Sequence, residues 1–160
     1  MDRLWSPWRY EYVTKSADSG GCIFCDKTAS GLDRDNWILF RGVYNYVLLN
    51  LFPYTNGHMM VAPYEHVATL VDAPEETVVE LMRLTRKAEG CLRAAYRPHG
   101  INVGMNLGEC AGAGVAGHIH MHVLPRWVGD SNFMTTIGET RVLPEAMETT
   151  YDRLHAAFHS

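Results

Sequence analysis

The chain has 160 residues, with 14 Lys and Arg, 18 Asp and Glu, and a formal net charge of −4. Apolar residues make up 47% and aromatic residues 11%, which suffices for a core and excludes intrinsic disorder. Without a cluster of basic residues, the chain is not expected to bind nucleic acid. It also lacks a run of about 18 apolar residues that could span a bilayer. We therefore expect one domain over residues 1–160, with no nucleic-acid partner and no membrane segment.

The residues from Met1 to Trp8 lack the apolar stretch of a signal peptide. We therefore expect a cytoplasmic protein, whose thiols are reduced. The four cysteines are then free thiols or metal ligands: Cys22, Cys25, Cys91 and Cys110. There are eight histidines, three of them within five residues.

In chain order, residues 14–35 are expected to form a loop that is interrupted by the short apolar segment 22–25. Apolar, β-prone runs at 37–40, 44–51 and 58–62 predict a small antiparallel meander, with a turn at Asn56-Gly57. Three- and four-residue periodicity predicts a helix over about 74–96, with Asp72 as its N-cap, Glu75 in a capping box and an end before Pro98.

Residues 101–107 and 118–124 are predicted strands, separated by a loop rich in Gly and Ala at 108–117, and a second helix is predicted over 144–158. Runs of strands with one long helix between them indicate an α+β fold. We expect a mostly antiparallel sheet of about five strands, one long helix and a C-terminal helix.

The segment 118–124 alternates histidine with apolar residues: His118, Ile119, His120, Met121, His122, Val123, Leu124. On a strand, this period places the three imidazoles on one face and the apolar side chains on the other. A purely structural strand with three solvated histidines is the plain alternative. Two chemical interpretations compete with it: chelation of a catalytic metal, or a nucleophilic imidazole helped by a neighbour.

The loop before this strand bears on that choice. Residues 108–117 expose backbone N–H groups with little side-chain obstruction, which suits an anion, although such a loop can also be only a flexible connection. Placed directly before three aligned histidines, it favours a phosphorus centre held by amides and attacked by a ring nitrogen. Two in-line displacements then replace one difficult attack by water.

With these motifs, the chain resembles the histidine-triad (HIT) superfamily, whose signature the segment 118–124 matches in full. Further similar segments are Arg3-Leu4-Trp5, the stretch 56–63, the strand end Asn106-Leu107-Gly108, and residues 125–133 with Asn132-Phe133. Within the superfamily, Arg3-Leu4-Trp5, residues 102–108 and residues 125–133 look most like bacterial diadenosine tetraphosphate phosphorylases and hydrolases of the fragile-histidine-triad type. The resemblance implies the α+β fold and a homodimer formed through the long helix and a sheet edge.

The resemblance also implies roles for individual residues. His120 corresponds to the nucleophile that attacks the α-phosphorus of a nucleotide, and His122 to a group on the α-phosphate or leaving oxygen. Binding of substrate is implied for Asn50 at the ribose, Leu51 at the base, and Asn106 with the amides around Gly112 and Gly114 at the phosphate. Many relatives carry a Gln-Ser pair in that loop, whereas this chain has Ala113-Gly114 and one extra residue.

Cys22 and Cys25 have the spacing with which two thiolates bind one zinc ion, but two more ligands are needed. No βαβ pattern surrounds them, which argues against a redox motif. In zinc-bearing HIT relatives, the remaining two ligands correspond to His66 and to His118, which is the first histidine of the segment 118–124. We expect a closed structural zinc site that the chemistry itself does not require; the alternative is empty thiols, with His118 bonded to His120 or His122. His58 is expected to pack or cap its turn.

The primary hypothesis is an enzyme that cleaves dinucleoside polyphosphates through a covalent nucleotidyl-histidine at His120, with phosphate or water as acceptor. Three alternatives remain: a nucleoside phosphoramidase, a non-catalytic nucleotide-binding sensor, and a metal hydrolase that uses all three histidines.

Overall fold

A computed structural model of the protein describes residues 21–131 and 145–160. The Arg3-Leu4-Trp5 and Asn132-Phe133 motifs and the first residue of the predicted C-terminal helix lie outside these residues. The elements in chain order are α1 (Ile23–Ala29), β1 (Ile38–Arg41), β2 (Asn45–Leu49), β3 (Met59–Pro63), α2 (Glu75–Tyr96), β4 (Gly100–Gly104), a 3-10 turn (Glu109–Ala111), β5 (Met121–Arg126) and α3 (Met147–His159).

The five strands form one sheet in the order β1-β2-β3-β5-β4, in which every neighbouring pair is antiparallel. This confirms the predicted α+β class, the five-stranded sheet and the two predicted helices. None of the described helices combines the length and apolar character needed to cross a bilayer.

The central strands are buried on both faces. On one face, Val47, Leu49 and Val61 pack with α2 and α3 in the main core. On the other face, Tyr46 and Leu48 pack with residues of β3 and with α1. Because alternate side chains of a strand point to opposite faces, this double burial accounts for the uniformly apolar runs that the sequence shows here.

The helix α1 was not predicted, since residues 14–35 were expected to form a loop. Its seven residues are too few for helical periodicity to be visible, and so short a helix is unstable alone. Packing supplies what propensity does not: Phe24 is only 2% exposed, and the Tyr46 hydroxyl donates to its carbonyl at 2.8 Å.

The long helix α2 confirms the predicted bounds, and Arg97 ends it in a left-handed conformation just before Pro98. The predicted capping box is wrong. Pro74 occupies the N-cap position without a side-chain hydrogen bond, while Asp72 accepts a hydrogen bond from Thr69. The carboxylate is therefore used by the preceding loop.

The strand β5 begins at Met121, not at His118 as the alternation predicted. Its ladder with β3 stops at the pair Val61 and Met121. Tyr64 donates its N–H to Tyr44 toward β2, so the alternation of the strand turns the backbone of Pro63 toward β5. Pro63 has no N–H to donate there, which ends the ladder.

Beyond that end, Ile119 donates its N–H to the Val67 carbonyl at 2.8 Å, in the loop between β3 and α2. The residues from His118 to His120 therefore leave the sheet. The strand β4 is likewise shorter than predicted, ending at Gly104, which pairs with His122 near the start of β5.

One carboxylate joins the β1–β2 turn to α2. Glu80 accepts hydrogen bonds from the N–H groups of Val43, Tyr44 and Asn45 at 2.7–2.8 Å and from the Asn45 side chain at 3.0 Å. Partial burial acts to raise the pKa of Glu80, but these donors outweigh it and hold the pKa below its ordinary value.

We predict that Glu80→Gln lowers the free energy of unfolding by about 1–3 kcal/mol near neutral pH, because charged acceptors make the stronger hydrogen bonds. Since the folded-state pKa is depressed, this contribution is present above the unfolded-state pKa and is lost as pH falls through the folded one. Urea unfolding at about pH 7 and about pH 3 measures both effects.

Glu89→Gln is the matched control on the same helix. Glu89 forms an exposed ion pair with Arg93, so we expect a change of no more than about 0.5 kcal/mol. Equal losses for both variants, or a Glu80→Gln loss that does not shrink in acid, would contradict the assignment.

Candidate active site

The predicted site residues converge on one open cleft, which has about 480 Å³ of space when the part open to solvent is counted. Six of them line it: Asn50, Asn106, Gly112, Gly114, His120 and His122. Its walls also include Phe24, Phe52, Tyr54 and Met60. Phe52, not Leu51, borders the cleft, and Leu51 is 47% exposed.

His120 lies at the floor of this cleft and is 5% exposed. Its Nδ1 is 2.8 Å from the carbonyl oxygen of His118. A carbonyl can only accept, so Nδ1 carries the proton and Nε2 keeps its lone pair in the neutral ring. Burial lowers the pKa of His120, against the smaller opposing effect of the His118 carbonyl, so the ring is neutral near pH 7. A neutral imidazole with a free lone pair is a nucleophile.

His122 stands beside this ring, with the two ring centroids 4.9 Å apart. Its Nδ1 is 2.9 Å from Nε2 of His58, and Nδ1 of His58 is 3.1 Å from the backbone nitrogen of Tyr54. Because the Tyr54 N–H can only donate, His58 carries its proton on Nε2 and donates to His122. The remaining proton of a neutral His122 is therefore on Nε2.

His58 is the residue whose part in the site the sequence analysis missed. It caps its turn as expected, and it also orients His122 while being 1% exposed. The pairing of Met60 with His122 puts His58 on the same sheet face as His122, diagonally across the ladder. This register joins β3 to a strand more than fifty residues away in the sequence, and it is the feature from which the position of His58 beside His122 follows.

The Gly-rich loop closes on itself above these rings. The N–H groups of Ala111, Gly112 and Ala113 all donate to carbonyls within the turn, and Asn106 ties the loop by donating to the Gly112 carbonyl at 3.3 Å. Gly112 has φ +95°, a conformation that favours glycine. Gly112 and Gly114 are the two glycines predicted to bind phosphate, and the N–H of Gly112 is used within the turn.

The four predicted metal ligands, Cys22, Cys25, His66 and His118, meet behind the cleft and are called the Cys/His cluster below. Their ligating atoms all lie within 4.8 Å of one another. Nδ1 of His118 is 3.3 Å from the Cys22 sulfur and 3.6 Å from the Cys25 sulfur, and Nδ1 of His66 is 3.5 Å from the Cys25 sulfur. Tetrahedral zinc sets such ligand atoms about 3.5–3.8 Å apart.

The protonation of these groups suits a cation. Nε2 of His118 is 2.9 Å from the Pro63 carbonyl and donates to it, so Nδ1 presents a lone pair to the thiols. Burial, with smaller contributions from His66 and His120, lowers the pKa of His118 to about 4, so the ring stays neutral. Burial and the neighbouring Cys22 raise the pKa of Cys25 to about 11, a charge penalty that a bound cation removes.

The same geometry argues against a metal hydrolase that uses all three histidines. His118 directs one nitrogen to the thiols and the other to Pro63, while His122 directs Nδ1 to His58. The three rings therefore do not converge on one ion.

Comparison with known proteins agrees with this arrangement. The model of the HIT domain matches residues 34–128. The "AP-4-A phosphorylase" of Mycobacterium tuberculosis is 40% identical over 158 residues, covering 94% of this chain and 80% of that protein. A Zn-bound histidine triad family protein from Mycobacterium smegmatis has a TM-score of 0.71 at 28% identity, covering 87% of this chain and 94% of that one.

A hypothetical histidine triad nucleotide-binding protein from Sulfolobus tokodaii shares the fold, with a TM-score of 0.70 at 23% identity over 86% of this chain and 92% of that one. The match of the domain model to more than half of the chain, together with the placement of the three histidines, leads to one conclusion. The chain belongs to the HIT family.

Proposed function

We propose that the protein is a dinucleoside polyphosphate phosphorylase that acts through a nucleotidyl-histidine at His120. The observation that carries this proposal is the pair of complementary nitrogens in the cleft: a lone pair on Nε2 of His120 and a proton on Nε2 of the adjacent His122. A nucleophile beside a hydrogen-bond donor is what phosphoryl transfer needs. The name of the mycobacterial relative, "AP-4-A phosphorylase", supports the substrate class and the acceptor.

In the first step, Nε2 of His120 attacks the α-phosphorus, forming a P–N bond as the bond to the bridging oxygen breaks. The Nε2–H of His122 donates a hydrogen bond to that oxygen and stabilises the charge that develops there, and the nucleoside polyphosphate leaves as an anion. In the second step, an oxygen of inorganic phosphate attacks the same phosphorus and the P–N bond breaks, which regenerates His120 and releases a nucleoside diphosphate. With diadenosine tetraphosphate, the products are ATP and ADP, whereas water as acceptor gives ATP and AMP.

For substrate binding, we propose that Asn50 contacts the ribose hydroxyls. Its Oδ1 accepts from the Phe52 N–H at 3.0 Å, which fixes the orientation of the amide at the cleft wall. Phe52 is 48% exposed and offers an aromatic face for a base, a role that the resemblance implied for Leu51. Since the N–H groups at 111–113 serve the turn, phosphate contacts from this loop are proposed for Gly114 and the residues after it.

We further propose that the Cys/His cluster binds one structural zinc ion, as its interatomic distances and protonation support. When bound, the ion supplies charge compensation to the two thiolates. A homodimer is also proposed, through α2 and the β4 edge of the sheet, where Val103 is 47% exposed and Met82 on α2 is 51% exposed.

The first prediction from the proposed function concerns the covalent step. Incubation with radiolabelled diadenosine tetraphosphate and a rapid quench should trap an acid-labile, alkali-stable nucleotidyl-protein, because a phosphoramidate bond has that stability. His120→Asn should abolish the adduct and lower turnover by a factor on the order of 10⁴ or more.

His99→Asn is the matched control, since His99 is exposed and only accepts a hydrogen bond from the Val128 N–H. Product analysis with added phosphate should give ADP and ATP. Full turnover in His120→Asn excludes the covalent mechanism, AMP in place of ADP identifies a hydrolase, and binding without turnover identifies a sensor.

The second prediction tests the orienting role of His58. His58→Leu removes the donor to His122 and should lower kcat by about 10–100-fold with little change in KM. His58→Gln places an amide N–H near the position of Nε2 and should retain more of the activity. Equal kcat values for the two variants, measured in steady state, would show that the hydrogen bond to His122 does not matter.

The third prediction concerns the metal. Purified protein should contain about one zinc ion per chain by elemental analysis, and its removal should lower the melting temperature, because the ion stabilises only the folded state. Cys25→Ser should lose the ion, whereas Cys110→Ser, an exposed cysteine outside the cluster, should keep it. Zinc content that is unaffected by Cys25→Ser would place the ion elsewhere.

A further inference from the structure

Phe24 lies between the two cysteines of the cluster and reaches the nucleophile. It is on α1, 2% exposed, and belongs to the lining of the cleft. Its ring centroid is 4.8 Å from that of His120 and 5.1 Å from that of His118, with tilted planes in both pairs. One aromatic ring thus touches both the metal-binding histidine and the histidine that attacks phosphorus.

A second connection runs through the backbone. The side chain of His118 belongs to the Cys/His cluster, and its carbonyl oxygen accepts a hydrogen bond from Nδ1–H of His120. This bond opposes rotation of the His120 ring about its Cβ–Cγ bond, and packing against the ring adds to that restraint. Phe24 contacts that ring with tilted planes, and His122 contacts it with nearly perpendicular planes.

The position of Phe24 is itself fixed. The Tyr46 hydroxyl, buried under α1, donates to the Phe24 carbonyl at 2.8 Å, and Phe24 is flanked by Cys22 at the N-cap and by Cys25 in the first turn of the helix. When the two thiolates hold a common ion, the segment that carries Phe24 is anchored on both sides of it. The ring then acts as a fixed wall for His120.

We propose that Phe24 is a positioning residue that couples the geometry of the Cys/His cluster to the ring of His120. This rests on the proposed function of His120 as nucleophile. The physical reason is that displacement of an attacking atom by about 1 Å can cost on the order of 100-fold in rate, even when every reacting group is present. The cluster then acts on catalysis through the hydrocarbon ring, although it touches no reacting atom.

The test compares three variants of the zinc-loaded protein. Phe24→Leu removes the flat ring, Phe24→Tyr keeps it, and Ile23→Ala is the control, because Ile23 packs against the same core from the same helix. We expect Phe24→Leu to lower kcat by about tenfold or more with KM within about threefold, and the other two variants to stay within about threefold in both.

A second readout does not depend on activity. Imidazole ¹H–¹⁵N correlation spectra report which ring nitrogen of His120 carries the proton. Wild type, Phe24→Tyr and Ile23→Ala should show one Nδ1–H tautomer. Phe24→Leu should show a mixture of tautomers or a broadened Nδ1–H signal, as should Cys25→Ser, in which the anchor of the helix is lost.

Other results for the variants overturn the proposal. A raised KM in Phe24→Leu with unchanged kcat and spectra makes Phe24 a nucleoside contact, and equal losses in Phe24→Leu and Ile23→Ala make the effect one of helix stability. If Phe24→Leu does not fold, an altered His120 signal in Phe24→Tyr or an unaltered one in Cys25→Ser decides against the coupling. If the wild type forms no nucleotidyl adduct, the proposed function fails, but the spectra still test Phe24.

Discussion

Three residue pairs join β3 to β5, and the position of the site histidines depends on this short ladder. Met60 pairs with His122, so His58 lies diagonally across from His122 on the same face. The ladder then stops at Met121, and the preceding residues turn toward the loop between β3 and α2. His118 is thereby carried to the cysteines of α1, and His120 is left between the cluster and the cleft.

The protonation pattern of the site is set by main-chain groups. The carbonyls of His118 and Pro63 each accept a hydrogen bond from an imidazole N–H, and the Tyr54 N–H donates to the lone pair on Nδ1 of His58. A backbone group cannot change between donor and acceptor, so each ring receives one tautomer. None of the residues that line the described cleft is acidic, so a polyanionic substrate meets no repelling carboxylate there. The net charge of −4 therefore does not describe the site.

Features whose cause is local can be predicted from the sequence. The triad, the Cys22 and Cys25 spacing and the bounds of α2 follow from consecutive residues, and the resemblance implied that His66 and His118 lie beside the two cysteines, as they do. What could not be predicted depends on contacts distant in sequence: α1 is held by Phe24 burial, and His58 acts through a cross-strand neighbour. The start of β5 was misplaced because the period of two cannot reveal that the partner strand ends in a proline.

Pro63 determines which backbone groups the sheet uses and which remain for the histidines. Had another residue stood there, its N–H and carbonyl would be turned toward Ile119, and one more ladder step would consume the polar groups of both. Instead, the Pro63 carbonyl is left to His118 and the Ile119 N–H to Val67. The sheet and the site compete for the same backbone donors and acceptors. Because Pro63 has no N–H, the ladder ends there, and the backbone groups that a longer ladder would have used instead hold His118 and Ile119 in place.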